Sequence, residues 1–244
     1  MQPLSTEQKN YLAKINNIDR YWSPDRSMHS VIKVDITHCS NRNNMVYPML
    51  HFLRGKITKL IFKVCTAEPA MTGFRKATIQ AVMDTWTATP VFNLAFEYLK
   101  NKGAFLWNLW LGTYSRCGST LGSSGWEHVF LGEWKSGTVD GQHDWARYYL
   151  LQKADKIDYH GYYSTVDSLT GTWQYTWENE LKQKGGFLIG TSPVFDFSLL
   201  TVCALIHPGS NTCKFSIDGH PLAVTSYTQT CAAGLCLSTA YPTN

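Results

Sequence analysis

Residues 123–145 read SSGWEHVFLGEWKSGTVDGQHDW. The run WEHVFLGEW alternates apolar and polar positions, which predicts a strand carrying His128. KSGTVDGQ then supplies Ser-Gly and Asp-Gly turn signals. HDWARYYLLQK follows, with Trp145, Tyr148, Tyr149 and Leu150 near helical spacing. The reading is strand, short turn and helix, with His128 on the strand and His143 at the mouth of the helix. Such a turn can bring two imidazoles into one cleft. An unperturbed histidine titrates near pH ~6.5, so one of a pair can take a proton while the other gives one.

Working outward, the chain changes character near residues 112–122. Before it the patterns are mainly helical. Residues 5–22 form a capped amphipathic stretch, 30–37 alternate as a short strand, and 46–53 read as a helix ending before Gly55. Residues 76–101 read as two helices broken at Thr89–Pro90, and 105–117 as an apolar helix feeding the core with Trp107 and Trp110. After 125, strands are expected near 127–134, 157–163, 172–177, 185–190, 213–218, 221–229 and 236–242. Two helices interrupt them, one after His143 and one from Pro193 with Ser192 as N-cap. Helices followed by strands give an α+β fold, with a helical region 1–112 and a strand-rich region 113–244 as one compact unit.

A base, an acid and a fixed cation are what internal transesterification of RNA requires. One group removes the 2′-hydroxyl proton, another protonates the departing 5′-oxygen, and a cation opposes the charge on the phosphorane. At these residues the sequence resembles the poly(U)-specific endoribonucleases, the EndoU or XendoU-like family. SSGWEHVFLGEW and GQHDWARYYLLQK resemble its two histidine blocks. IDYHGYY (157–163), FLIGTSPVFDFSLLTVCAL (187–205) and STAYP (238–242) resemble later blocks in the same order. The resemblance implies antiparallel sheets forming a cleft, with His128, His143 and Lys182 catalytic. Lys182 is placed by its spacing to Gly190 and by Trp177, and Lys184 is the rival if the register slips by two.

Thr239 and Tyr241 match substrate-binding positions of the family; Arg116 and Ser124 are weaker candidates for phosphate contact. The family's dependence on Mn²⁺ or Ca²⁺ implies an activating cation, for which Glu127 and Glu133 are the candidates. By strand alternation both would face away from His128. The implied partner is single-stranded, uridine-containing RNA, cleaved by a monomer to a 2′,3′-cyclic phosphate. His143 is expected as base, since a helix N-terminus favours a neutral imidazole, although Asp144 pulls its pKa upward. His128 is expected as acid. Some family members carry serine or threonine, proposed to read uracil, where this chain has Gly186. A non-catalytic RNA-binding protein on the same fold is the alternative.

Composition limits the other classes. The chain has 244 residues, 16% charged and 14% aromatic, with a net charge of +4, which tolerates an RNA partner without demanding one. No HExxH motif and no G-x-S-x-G elbow occurs, which disfavours zinc-protease and serine-hydrolase chemistry. Seven cysteines show no zinc spacing. Cys231 and Cys236, and Cys203 and Cys213, flank turns and can pair; buried free thiols are the other reading for Cys39, Cys65 and Cys203. No apolar leader opens the sequence, so the expectation is a secreted chain whose leader was removed, or alternatively a cytoplasmic one.

Overall fold

The computed structural model describes residues 72–90, 92–93, 95, 106–167, 169–217 and 219–243, together with 62–63, 65 and 67. The expected helices 5–22 and 46–53, the strand 30–37 and Cys39 lie outside them, as does most of the helix after Pro90.

Strand β1 (Phe62–Lys63) precedes helix α1 (Gly73–Thr87). The helix stops where expected. The buried Thr89 hydroxyl accepts from the Phe92 amide, so it caps a new helical turn that begins at Pro90. Helix α2 (Leu106–Leu111) is shorter than its apolar run. It ends at Gly112, where a Cβ would lie 2.1 Å from Cys236 Sγ. The chain then turns into β2 (Thr113–Tyr114), paired with β3 (Ser123–Ser124).

The decisive stretch departs from its strand reading. Residues Glu127–Leu131 form a π-helix, closed by the Gly132 amide on the Glu127 carbonyl at 2.8 Å. Glu127, His128, Val129, Phe130 and Leu131 are all buried. Apolar–polar alternation indicates a strand only when one face meets water, and here no face does. β4 (Glu133–Lys135) and β5 (Thr138–Asp140) make the turn, and helix α3 (Trp145–Lys153) follows, N-capped by Asp144 through the Arg147 amide at 2.7 Å.

β6 (Ile157–Val166), β7 (Thr170–Trp177) and β8 (Glu180–Leu188) form a meander. They complete a six-stranded sheet of order β1-β4-β5-β8-β7-β6. Its pairs are antiparallel except β1 with β4 and β5 with β8, so the expected antiparallel sheet is mixed. Helix α4 (Pro193–Ile206) is capped by Ser192 as read from the sequence. A second sheet follows, of β9 (Gly209–Ile217), β10 (His220–Cys231) and β11 (Gly234–Thr243), in order β11-β10-β9. The fold is α+β.

Two cores meet at the middle. The larger gathers Trp86, Trp110, Trp126, Phe130 and Phe197 with the apolar side of α4 and the second sheet. It joins residues on both sides of position 112, and the Trp110 indole donates to the Thr201 hydroxyl at 2.9 Å. The smaller packs Trp145, Tyr148 and Leu151 of α3 on Trp173, Tyr175, Trp177 and Phe187. The π-helix belongs to the first core and α3 to the second, so the segment joining them crosses the seam.

Disulfides link Cys203 to Cys213 and Cys231 to Cys236, as the turns allow, and also Cys65 to Cys117. Cys65 is therefore paired and exposed, not a buried thiol. The third bridge spans 52 residues, too far apart for any local turn signal to announce it. Thiol titration of the denatured, unreduced chain should find one reactive thiol, Cys39, and seven after reduction. Three or more before reduction would break this pairing.

Candidate active site

The seam between the cores opens into a cleft of about 550 Å³ lined by His128, His143 and Lys182, with Arg116, Asp140, Thr239 and Tyr241 around them. Two backbone hydrogen bonds create it. The amides of Gln142 and His143 donate to the carbonyls of His128 and Val129, at 2.6 and 2.7 Å. The loop after β5 is thereby laid against the π-helix, and the two imidazole centroids lie 6.0 Å apart. Gly141 permits the approach. It sits at φ +69°, and a Cβ there would lie 1.9 Å from the His128 carbonyl oxygen. Read from sequence, Asp140–Gly141 signalled only a turn.

Each imidazole is oriented through Nδ1. His143 Nδ1 donates to the Gly186 carbonyl at 3.1 Å, which leaves Nε2 with the lone pair. His128 Nδ1 lies 2.9 Å from Glu133 Oε2, so its N–H meets a carboxylate and Nε2 again faces the cleft. Glu133 was expected to face away from His128. The π-helix replaces the strand on which that expectation rested, and Gly132, at φ +81°, swings Glu133 back beneath the ring.

Both imidazoles have pKa values well below 6.5. Burial is the main cause for each. For His128 the charges of Arg116, His143 and Lys182 add to it. For His143, Lys182 and Arg116 lower the value while the Gly186 carbonyl raises it. Asp144 does not act on His143 as anticipated. Its carboxylate caps α3 and faces Arg147, and burial raises its pKa to about 7. The expected preference of His128 for its proton is opposed by burial and aided by the adjacent Glu133.

Lys182 and Lys184 are separated clearly. Lys182 lies on β8 opposite Tyr175, is buried, and donates its amine to the Gly141 carbonyl. Burial lowers its pKa to about 8, with Asp140 opposing, so it remains largely protonated at neutral pH. Lys184 is exposed at the rim, its Nζ 5.1 Å from the Tyr163 ring centroid. Tyr241 stacks on His143 at 4.8 Å between centroids, and Thr239 lines the cleft with a hydroxyl that has no protein partner.

Other candidates serve the scaffold. Ser124 does not line the cleft; its hydroxyl accepts from the Glu127 amide and lies 3.3 Å from the Glu127 carboxylate. Arg116 lines it but is committed to Ser123, the Tyr114 hydroxyl, the Ser238 carbonyl and, at 3.5 and 3.8 Å, Glu133 and Asp140. Among the described residues no three His, Cys, Asp or Glu side chains converge as metal ligands. Glu127 is engaged by Ser124, and Glu133 by His128 and Arg116, so these carboxylates do not fit the Mn²⁺ or Ca²⁺ site expected of them. Gln142 is fully buried and bridges the Tyr175 hydroxyl to the Asp144 carbonyl.

Two oriented imidazoles and a buried cation in one cleft define a site suited to phosphoryl transfer without a protein nucleophile. The family model described as Endoribonuclease XendoU matches residues 56–242. The chain belongs to that family. Uridylate-specific endoribonucleases of Bos taurus and Homo sapiens are 42% and 43% identical to it over 125 residues, which is 50% of this chain and 30% of theirs. Uridylate-specific endoribonuclease B of Danio rerio is 38% identical over 145 residues, 52% of this chain and 51% of that protein. The chain thus matches between about a third and a half of the length of these curated relatives. The solved structure described as XendoU, a splicing independent snoRNA processing endoribonuclease, has the same fold. The TM-score is 0.76 at 24% identity, over 99% of this chain and 98% of that one.

Gly141→Ala should cost about 1–3 kcal/mol through left-handed strain alone and should separate the histidines. A urea midpoint equal to the parent's would show that the loop does not rest on His128 as described. The lowered imidazole pKa values carry a second expectation. Above pH 6.5 the rings are neutral in both folded and unfolded chains; below it the unfolded chain takes up protons that the folded chain resists. The histidine contribution to stability should therefore be lost as pH drops below 6.5, while buried Asp144, raised to about 7, acts in the opposite sense, so that on acidification His143→Gln should lose less stability than the parent. An equal slope in that variant would place the lost stability elsewhere.

Proposed function

We propose that this protein is an endoribonuclease that cleaves single-stranded RNA, preferably at uridine, by attack of the 2′-hydroxyl on the adjacent phosphorus. The observation that carries the reading is the pair of imidazoles, each held through Nδ1 and set on either side of a cleft that also holds Lys182. His143 Nε2 takes the 2′-hydroxyl proton. The resulting oxygen forms a bond to phosphorus as the bond to the 5′-oxygen breaks. His128 Nε2–H delivers a proton to that leaving oxygen. The products are a 2′,3′-cyclic phosphate and a 5′-hydroxyl. Lys182 opposes the charge that accumulates on the non-bridging oxygens.

Both neutral rings present a basic Nε2, and base is assigned to His143 because its Nδ1 partner is an uncharged carbonyl, whereas His128 has a carboxylate that can hold an imidazolium. The assignment of acid to His128 rests on the Glu133 carboxylate beside its Nδ1 and on the negative charge of the bound phosphate, which together favour the imidazolium against the burial and neighbouring cations that hold the empty site's ring neutral. Tyr241, stacked on His143, offers an aromatic edge beside the ribose, and Thr239 lines the same wall of the cleft. Gly186 leaves no room for a serine or threonine in its place, since a Cβ there would lie 2.5 Å from the Pro242 carbonyl oxygen. Base preference is therefore assigned to β11. Three disulfides fit a secreted chain. A divalent activator, Mn²⁺ or Ca²⁺, belongs to this reading only as a ligand outside the Glu127 and Glu133 carboxylates.

A uridine-containing oligonucleotide should yield cyclic phosphate ends, and its 2′-deoxy analogue should resist. His128→Ala, His143→Ala and Lys182→Ala should each lose roughly 10²–10⁴ of the rate while staying folded. A 5′-bridging sulfur, which needs no acid, should restore His128→Ala but not His143→Ala. Cleavage of the all-deoxy strand at a comparable rate would overturn the reading.

A further inference from the structure

The cleft does not end at the histidines. It runs onto the outer face of the meander, where Tyr163, Ser164, Thr172 and Lys184 continue its lining. The register explains their alignment. Gly186 pairs with Thr172, which pairs with Ser164, so one row crosses β8, β7 and β6. Lys184 and Gly186 alternate on β8, a register shift separates them from Lys182, and all three line the same cleft. A bulge between Tyr162 and Ser164 turns Tyr163 onto this face.

Tyr163 is held in place, although 48% of it is exposed. Its hydroxyl accepts from the amides of Gln174 and Gln183, at 2.9 and 3.0 Å. Those two donors fix the ring from two neighbouring strands, and Lys184 sits over it. An exposed aromatic ring costs solvation and carries no packing role in either core. A pre-oriented ring next to a cation, in continuity with a phosphoryl-transfer cleft, has the chemistry that single-stranded nucleic acid recognises: a π-face for a base and a charge for its phosphate.

The geometry points to a second nucleotide subsite on the meander, in which the base next to the cleaved linkage stacks on Tyr163 and its phosphate meets Lys184. The inference rests on the nuclease reading for its catalytic consequence. The strand then lies along β8, β7 and β6 instead of leaving the cleft at the histidines. The occupant is RNA and not a protein segment, because the row offers hydroxyls, a cation and one ring but no continuous apolar surface.

Two measurements test it together. The first is the ratio of kcat/KM for a uridine-containing hexanucleotide over that for a dinucleotide. The second is binding of a non-cleavable 2′-deoxy hexamer, followed by fluorescence anisotropy at several salt concentrations. Tyr163→Ala and Lys184→Gln should each reduce the length advantage and the hexamer affinity by about tenfold. Tyr163→Phe, which keeps the ring but loses the two hydrogen bonds that hold it, should fall between the parent and Tyr163→Ala in both. Lys184→Gln should also reduce the salt slope by about 0.7. A hexamer no better than the dinucleotide in the parent, or variants that bind it as the parent does, would overturn the subsite. Hexamer binding that depends on Tyr163 and Lys184 without any cleavage would leave the subsite standing and remove the nuclease reading.

Discussion

The site depends on a main-chain contact. The amides of Gln142 and His143 reach the carbonyls of His128 and Val129. The π-helix leaves those carbonyls free because it ends at Leu131, after its one closing bond from the Gly132 amide to the Glu127 carbonyl. The contact fixes two histidines from different elements with a precision that neither element supplies alone. It also demands a residue without a side chain at Gly141. The chemistry of the cleft is therefore built first in the backbone, and the side chains inherit their positions from it.

Burying several cations together is costly, and the scaffold around the cleft answers that cost. Arg116 ties Glu133 and Asp140 to the Ser238 carbonyl of β11, so that one guanidinium braces three elements. Glu133 in turn holds His128, and Asp140 offsets the burial of Lys182. A cleft arranged in this way keeps its lysine charged near neutrality while its histidines stay close to the neutral form. Phosphate is the complementary guest. The second sheet contributes through β11, which packs against β8, α2 and the π-helix and carries Thr239 and Tyr241 into the site.

The order of elements after residue 145 was legible because each announces itself locally. Ser192 caps helix α4 as side-chain chemistry dictates. Thr89–Pro90 ended α1 for the same reason. Cys231 and Cys236 pair across their hairpin turn, and Cys203 of α4 pairs with Cys213 of β9 across the connection between them. The histidines and the lysine were found by motif and spacing, which survive any error in secondary structure. The strand reading at 127–131 failed because alternation reports on a boundary with water, and this segment lies wholly inside a core. The helix over 105–117 failed at Gly112 for a tertiary reason, the close approach of Cys236.

The sequence by itself determined the α+β class, the Ser192 cap and the strands after residue 145, which follow from local preference, and by family resemblance it picked out the three side chains that meet in the cleft. Only the tertiary structure decided which carboxylate serves which ring. Glu133 lies five residues from His128 and became its partner only because a π-helix and Gly132 turned the chain back. Asp144 is adjacent to His143 yet serves α3 and Arg147. Likewise Ser124 left the cleft, Glu127 turned to Ser124, and Tyr163 was brought to its rim by a bulge. Spacing along a chain gives the residues near one another in sequence. Direction is set by backbone dihedrals and by what already occupies the space, and both belong to the folded whole.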